Sequence, residues 1–179
     1  MSSSSTPIPP HSPSTEPYWR LLAVALDPDH EPELYGLIHE GETDSPLMVD
    51  GRIVFFTDPA RAPDLIRQHG AAQAAAKIDV EKPFFWCDVA GALHYLSAGG
   101  VDNTATVVDA VNVLLDLVKA SGIKMEDSCR KALYDIADYC TMNKDLTKYL
   151  EEDGDHSSRE LVDAVLWCVG AVVVKSRIV

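Results

Sequence analysis

Positive charge is scarce in this sequence. Its 15 lysine and arginine residues stand against 28 aspartate and glutamate residues, which gives a formal net charge of −13 at pH 7. Nucleic acids and anionic membranes need a cationic surface on their partner, because binding releases counterions or neutralises phosphate. We therefore expect no nucleic acid and no membrane as partner, and a basic protein surface suits this chain better.

The chain has four cysteines, and the motifs of the common catalytic and metal sites are missing. The spacings CxxC, HxH, HExxH, GxSxG, GxxxxGK[ST] and GxGxxG are all absent from the sequence. Cys87 is the best candidate for a reactive thiol, because a helix capped by Asp88 is expected to begin just after it, yet its aromatic neighbours favour burial. The sequence predicts no metal, no cofactor and no catalytic set, and its dispersed cysteines suit a reducing, cytoplasmic location.

A long apolar run is lacking as well. The longest, residues 161–174, is interrupted by Asp163, whereas a membrane-spanning helix needs about 20 apolar residues. No basic and apolar leader region is visible at the N-terminus. We expect residues 161–174 to be a buried helix, although the valines in 169–174 leave open whether it ends as helix or strand.

Residues 1–17 differ in composition from the rest of the chain. They are rich in serine, threonine and proline, offer little for a core to bury, and are expected to form a disordered tail. Residues 18–80 are expected to be β-rich, with a hairpin turn at Asp50-Gly51 and a helix that begins at Asp58-Pro59. Within the segment 84–87 a short buried strand and an apolar linker are both compatible with the pattern.

Residues 81–179 show mainly the pattern of helices. Apolar residues recur at steps of three and four over 107–118 and over 129–140. Gly122 is expected to end the first of these helices, and Asp127 or Ser128 to cap the second. Ser157 or Ser158 is expected to cap the last helix, and Glu160 has the spacing of a capping box with Ser157. The expected fold class is α+β: an N-terminal antiparallel hairpin or meander with a helix, followed by a C-terminal helical half that packs with it as one domain.

Two acidic segments are the most unusual feature of the sequence. Residues 27–44 contain no lysine or arginine, and residues 151–155 are acidic again. If the first strands pair, we expect the acids of 27–44 to crowd together, while solvated loops are the ordinary alternative. The candidate partner-binding residues are Asp27, Asp29, Glu31, Glu33, Tyr35, Glu40, Glu42, Asp44, Glu151, Glu152, Asp153 and Asp155. Trp19 and Tyr149 are additional aromatic anchors if they are exposed.

These features favour a non-catalytic acidic interaction protein, such as an inhibitor, an immunity-type protein or an adaptor, that binds a basic protein partner. Two alternatives stay open. One is a hydrolase or transferase whose Asp58, Asp88 and His94 meet in a pocket after folding. The other is a structural homo-oligomer, such as a homodimer, in which residues 171–179 pack against another copy. A large exposed apolar patch at the C-terminal end is the feature that would favour the last one.

Overall fold

The computed structural model describes residues 18–27, 31–41, 43–98 and 103–179, and within them the chain forms an α+β fold, as expected. The strands are β1 (Tyr18–Ala25), β2 (Leu34–Glu40), β3 (Ser45–Pro46), β4 (Met48–Val49), β5 (Arg52–Phe56), β6 (Phe85–Asp88) and β7 (Ser176–Ile178). The helices are α1 (Ala62–Gln68), α2 (Ala72–Ala75), α3 (Val89–Ala98), α4 (Thr104–Ser121), α5 (Asp127–Asn143), α6 (Leu146–Lys148) and α7 (Ser158–Val174). A 3-10 turn (Pro59–Arg61) precedes α1, and a π-helical turn (Tyr149–Asp153) follows α6. The expected tail, residues 1–17, lies outside the described residues.

The sheet is mixed rather than purely antiparallel. β2 pairs antiparallel with β1, β3 and β5, and β4 pairs antiparallel with β5. The two parallel pairs are β1 with β6 and β5 with β7. Both parallel neighbours, β6 and β7, come from residues 81–179, so the sheet that was expected from residues 18–80 is completed by strands that lie far away in sequence.

The sheet is covered by helices on both faces. Leu22 and Val24 of β1 pack into a core with α3, α4, α5 and α7, whereas Leu21 of the same strand packs with α1 and α2 on the other face. Alternate side chains of a strand point to opposite faces. A central strand that is buried on both faces needs apolar side chains on both, which explains the continuous apolar run in β1.

Several local predictions are confirmed. Asp50 and Gly51 have positive φ angles of 52° and 72° in the β4–β5 turn, and Gly122 ends α4 with a φ of 71°. Ser157 and Glu160 form the capping box of α7. The expected cap of α5 is wrong, because the helix begins at Asp127 behind Glu126, and no side chain caps it.

Residues 169–174, which the sequence left open between helix and strand, are helical. α7 continues to Val174, and after Lys175 the chain enters β7 beside β5. The N–H of Ile53 donates to the carbonyl of Lys175 at 2.8 Å, which ties the end of the helix to the sheet. Among the described residues, no helix combines the length and the apolar character needed to cross a membrane.

Candidate interaction surface

One end of the sheet collects carboxylates from four neighbouring strands. The register pairs Ala25 of β1 with Asp88 of β6, and Tyr35 of β2 with Phe56 of β5. The turn after β1, the start of β2 and the ends of β5 and β6 therefore meet at the same end. We call this surface the acidic rim, and its residues are Asp27, Glu31, Glu33, Asp58 and Asp88.

Three rim carboxylates are fixed by backbone N–H groups. Glu33 accepts from the N–H of Leu26 at 2.8 Å, Asp58 from Ala60 at 2.9 Å and Asp88 from Gly91 at 2.7 Å. A hydrogen bond from a backbone N–H group restricts the rotamers of the carboxylate that accepts it. The rim therefore presents negative charge at defined positions.

The acidic rim also has an apolar component and a nearby cation. Leu26 is 48% exposed at the tip between β1 and β2, and Glu31 is exposed in the same connection. Arg61 is exposed on the 3-10 turn that Asp58 caps. A partner that binds here would meet several carboxylates, one exposed leucine side chain and one cation at the border.

The structure divides the predicted acids of residues 27–44 between two ends of the sheet. Glu40 and Asp44 lie at or beyond the far end of β2, roughly 20 Å from its start. Arg20 Nε lies 3.1 Å from Glu40 Oε2, off the direction of a hydrogen bond, so this contact is an ion pair. Asp29 and Glu42 lie outside the described residues. The pairing of β1 with β2 thus separates the two acidic groups.

Asp44 and Asp116 flank a small apolar recess at that far end. The recess lies between the sheet and α4, and it is lined by Ile38, Asp44, Pro46, Phe85, Val113, Asp116 and Leu117. Burial raises the pKa of Asp116, the nearby Lys119 lowers it, and the charge of Asp44 raises it further. The negative charge of Asp44 therefore makes ionisation of Asp116 harder.

The second acidic segment lies against α5. Lys131 Nζ contacts the carboxylate of Asp135 and lies 3.8 Å from Asp155 Oδ2, while His156 Nε2 lies 3.1 Å from Asp135 Oδ2. The hydrogen bond from Lys131 holds the pKa of Asp135 below its usual range. Lys131 also partly neutralises the charge of Asp155, whereas Glu151 and Glu152 are exposed. The side chain of Asp153 lies outside the described part.

Two of the three aromatic residues expected near these segments are partly buried, and the third is fully buried. Tyr35 stacks on Phe56 with ring centroids 6.3 Å apart, and Trp19 packs edge-on against His39. Tyr149 is only 3% exposed, and burial raises its pKa to about 12. Tyr149 is therefore a core residue, and the exposure that an anchor role requires is not met.

The structure does not bring together the three residues of the enzyme alternative. Asp58 follows β5 and Asp88 ends β6, and these strands are separated by β2 and β1, so roughly 14 Å lies between them. Both carboxylates cap the turn or helix that follows, and His94 is exposed beside Tyr95. Within the described residues, no three His, Cys, Asp or Glu side chains are grouped to hold a metal ion.

The cysteines are buried or half-buried and free. Cys87 is fully buried, its Sγ donates to the carbonyl of Ala110 at 3.9 Å, and burial raises its pKa to about 12. Burial likewise raises the pKa of Cys168 to about 12 and that of Cys140 to about 11. A thiol in such surroundings is a poor nucleophile, so the core interpretation of Cys87 is the better one.

Sequence reasoning missed an aromatic group at the end of the sheet opposite the acidic rim. The guanidinium of Arg20 lies 4.3 Å from the ring centroid of Tyr18 and 4.0 Å from that of Phe84. Both rings and Trp86 are about half exposed. In the sequence, residues 84–87 are recognisable only as an apolar run. Their position beside β1 results from a parallel strand pairing, which local sequence patterns do not show.

Comparison with protein-family models, with curated proteins and with solved structures gives no match. The geometry of the described residues is therefore the basis of the functional proposal.

Proposed function

We propose that this protein is a non-catalytic interaction protein that binds a basic segment of a partner protein through the acidic rim. The proposal is supported by one observation above all. Strand register gathers carboxylates from β1, β2, β5 and β6 at one end of the sheet, in a chain whose net charge is −13. An inhibitor, an immunity-type protein or an adaptor would use such a surface to attract and orient a cationic partner.

The rim has the chemistry that a lysine- or arginine-bearing segment needs. Backbone N–H groups fix Glu33, Asp58 and Asp88, so little side-chain entropy remains to be lost when a cation binds. Leu26 adds an exposed apolar contact at the centre of the rim. The complementary partner is therefore a basic segment that also carries an apolar side chain.

The test measures binding of a fluorescently labelled ten-residue oligolysine peptide to the full chain at several salt concentrations. The rim variant carries Glu31→Gln and Asp58→Asn, because asparagine still caps a helix and so keeps the turn at Pro59. The matched control carries Glu151→Gln and Glu152→Gln, which removes the same charge from the other acidic segment. We expect the rim variant to bind about tenfold more weakly, whereas the control binds like the wild type.

Affinity capture from the native lysate then tests the biological partner. We expect one basic protein to be retained at low salt by the wild type and the control, released at high salt and lost with the rim variant. Equal weakening by both double variants would show that binding follows net charge alone. That result, or the absence of any rim-dependent basic protein, would overturn the proposal.

A further inference from the structure

A cleft between α4 and α5 gathers cations in a chain that has few of them. Its volume is about 380 Å³, and the short connection between the two helices lies at one end of it. The lining consists of Leu115, Val118, Lys119, Gly122, Ile123, Lys124, Met125, Arg130 and Tyr134. This set holds three cations and no carboxylate, although acids outnumber cations 28 to 15 in the chain. We call this cavity the cationic cleft.

The charged and the apolar side chains occupy different ends of the cationic cleft. Lys119 follows Leu115 by four residues on α4, and Tyr134 follows Arg130 by four residues on α5, so each pair lies on one side of its helix. Helices joined by a short connection run antiparallel. Lys119 and Arg130 therefore lie with Lys124 at the connected end. Leu115 and Tyr134 lie about 6 Å further along the helix axes.

Two of the three cations are available to an anion. Arg130 Nη2 lies 2.8 Å from Asp127 Oδ1, which compensates its charge in part. In the part of the chain that the structure describes, neither Lys119 nor Lys124 has a carboxylate oxygen within 4.0 Å. Asp116 acts on Lys119 only over a longer distance. Both lysines are exposed, so a bound carboxylate can reach them.

Helix stabilisation explains only one of these cations. Lys119 lies in the last turn of α4, where the helix dipole favours positive charge. Arg130 is near the start of α5, where the dipole disfavours a cation, and its exposed ion pair with Asp127 contributes little to stability. Lys124 lies outside both helices. The meeting of the three at one cleft is therefore not a result of helix stability.

The rest of the lining is apolar. Val118 and Met125 are buried, Leu115 and Ile123 are half-buried, and the side chain of Tyr134 is 50% exposed. Small-molecule sites have volumes of about 300 to 1,000 Å³ and combine an apolar lining with a few charged or polar groups that orient the ligand. The cationic cleft meets both conditions, and its charge selects an anion.

We propose that the cationic cleft binds a small carboxylate that carries an apolar body. The carboxylate lies at the connected end, between Lys119, Lys124 and Arg130. The apolar body extends toward Leu115 and the ring of Tyr134. These residues are separate from the acidic rim, so the proposal does not depend on a basic protein partner.

The first test is a titration of the full chain with phenylbutyrate, followed by two-dimensional amide NMR. We expect saturable shifts of the amide signals of residues 119–130, with a dissociation constant of about 1 mM for a ligand of this size. Phenylbutanol has the same apolar body without a charge, and phenylbutylamine carries the opposite charge. Both should bind at least about tenfold more weakly than phenylbutyrate.

A double variant tests the charged end of the cleft. Lys119→Gln combined with Lys124→Gln removes two cations and leaves the apolar lining in place. We expect phenylbutyrate to bind this variant about tenfold more weakly, with an affinity close to that of phenylbutanol. The matched control carries Lys82→Gln and Lys175→Gln, which removes the same charge at two exposed positions outside the cleft, and it should bind like the wild type.

Substitution of Tyr134 tests the apolar end. Tyr134→Ser should weaken the binding of phenylbutyrate and of phenylbutanol by a similar factor, because both ligands lose the contact with the ring. Tyr134→Phe keeps the ring and should bind phenylbutyrate like the wild type. Tyr134 is exposed on α5, so neither change opens the core, and circular dichroism checks that all variants are folded.

Four results would overturn the proposal. The first is the absence of saturable shifts with phenylbutyrate. The second is equal binding of phenylbutyrate and phenylbutylamine, which would show that charge plays no part. The third is equal weakening by both double variants, which would mean that binding follows net charge. The fourth is tighter binding of a decaglutamate peptide that Tyr134→Ser leaves unchanged, which would assign the cations to an acidic protein partner.

Discussion

Three carboxylates of the acidic rim accept hydrogen bonds from backbone N–H groups nearby in sequence. Asp58, Asp88 and Glu33 each accept a hydrogen bond from an N–H group within seven residues. The sequence predicted Asp58 and Asp88 as caps because Asx residues before a helix carry a local signal. It did not predict the Glu33 contact with Leu26, because that contact depends on the turn that joins two paired strands.

Asp116 allows a prediction about stability at the residue scale. Burial raises its pKa in the folded chain, so the folded state disfavours its ionised form. Stability is therefore lost as the pH rises from about 3.8, the ordinary value, through the raised pKa, and the loss persists at pH 7. We expect Asp116→Asn to raise the free energy of unfolding at pH 7 by less than about 1 kcal/mol, because the side chain remains partly exposed.

Urea unfolding at pH 7 and at pH 3 measures this effect. At pH 3 both the folded and unfolded chains hold the proton, so the gain from Asp116→Asn should vanish. Asp109→Asn, two turns earlier on the same side of this helix, is the matched control, and it should change the unfolding free energy little. An equal gain at both pH values would show that the amide acts by packing rather than through the charge.

At the scale of elements, helices and turns could be predicted better than strand neighbours. The turn at Asp50-Gly51 and the end of α4 at Gly122 are set by residues that tolerate positive φ, and both are where the pattern indicates. β6 shows the opposite case. Its four residues look the same as a linker, and only pairing with β1, more than sixty residues earlier, makes them a strand.

The C-terminus of α5 carries a backbone strain that can be relieved. Lys144 ends this helix with a φ of 55°, in the left-handed region where a side chain costs about 1 kcal/mol. Its N–H donates to the carbonyl of Cys140 at 2.8 Å, a bond that glycine would keep. We expect Lys144→Gly to stabilise the fold by about 0.5 to 1 kcal/mol, measured as a rise of the thermal midpoint by about 2 °C.

A second lysine provides the control for this change. Lys119 lies within the last turn of α4 in right-handed geometry, so Lys119→Gly should destabilise by about 1 kcal/mol. The two substitutions remove the same side chain and differ mainly in the backbone angle. Destabilisation by both would mean that the lysine side chain, and not the φ angle, decides the outcome at position 144.

At the scale of the whole molecule, the strand register decides where charge lies. The acids of residues 27–44 form one segment in sequence, yet Glu33 directly precedes β2 at one end of the sheet and Glu40 ends β2 at the other. Composition indicated an acidic surface, but the register that adds Asp58 and Asp88 to Glu33 is set by the pairing of distant strands. A one-residue shift in pairing would turn every side chain to the other face, and local patterns cannot exclude it.

The two chain ends should contribute very differently to the stability of the whole fold. Deleting residues 176–179 removes β7, including the bond from the Val179 N–H to the Phe55 carbonyl at 2.9 Å, and opens the edge of β5. The lost pairing is worth roughly 3 kcal/mol, so the thermal midpoint should fall by roughly 6 to 12 °C. Deleting residues 1–17 should leave it within about 2 °C, since every core residue described lies beyond them.

Both deletions are compared by calorimetry at one low protein concentration, so that association between copies contributes little. A large fall on removal of residues 1–17 would mean that this segment packs on the fold, whereas an unchanged midpoint without β7 would mean that the sheet is complete at β5.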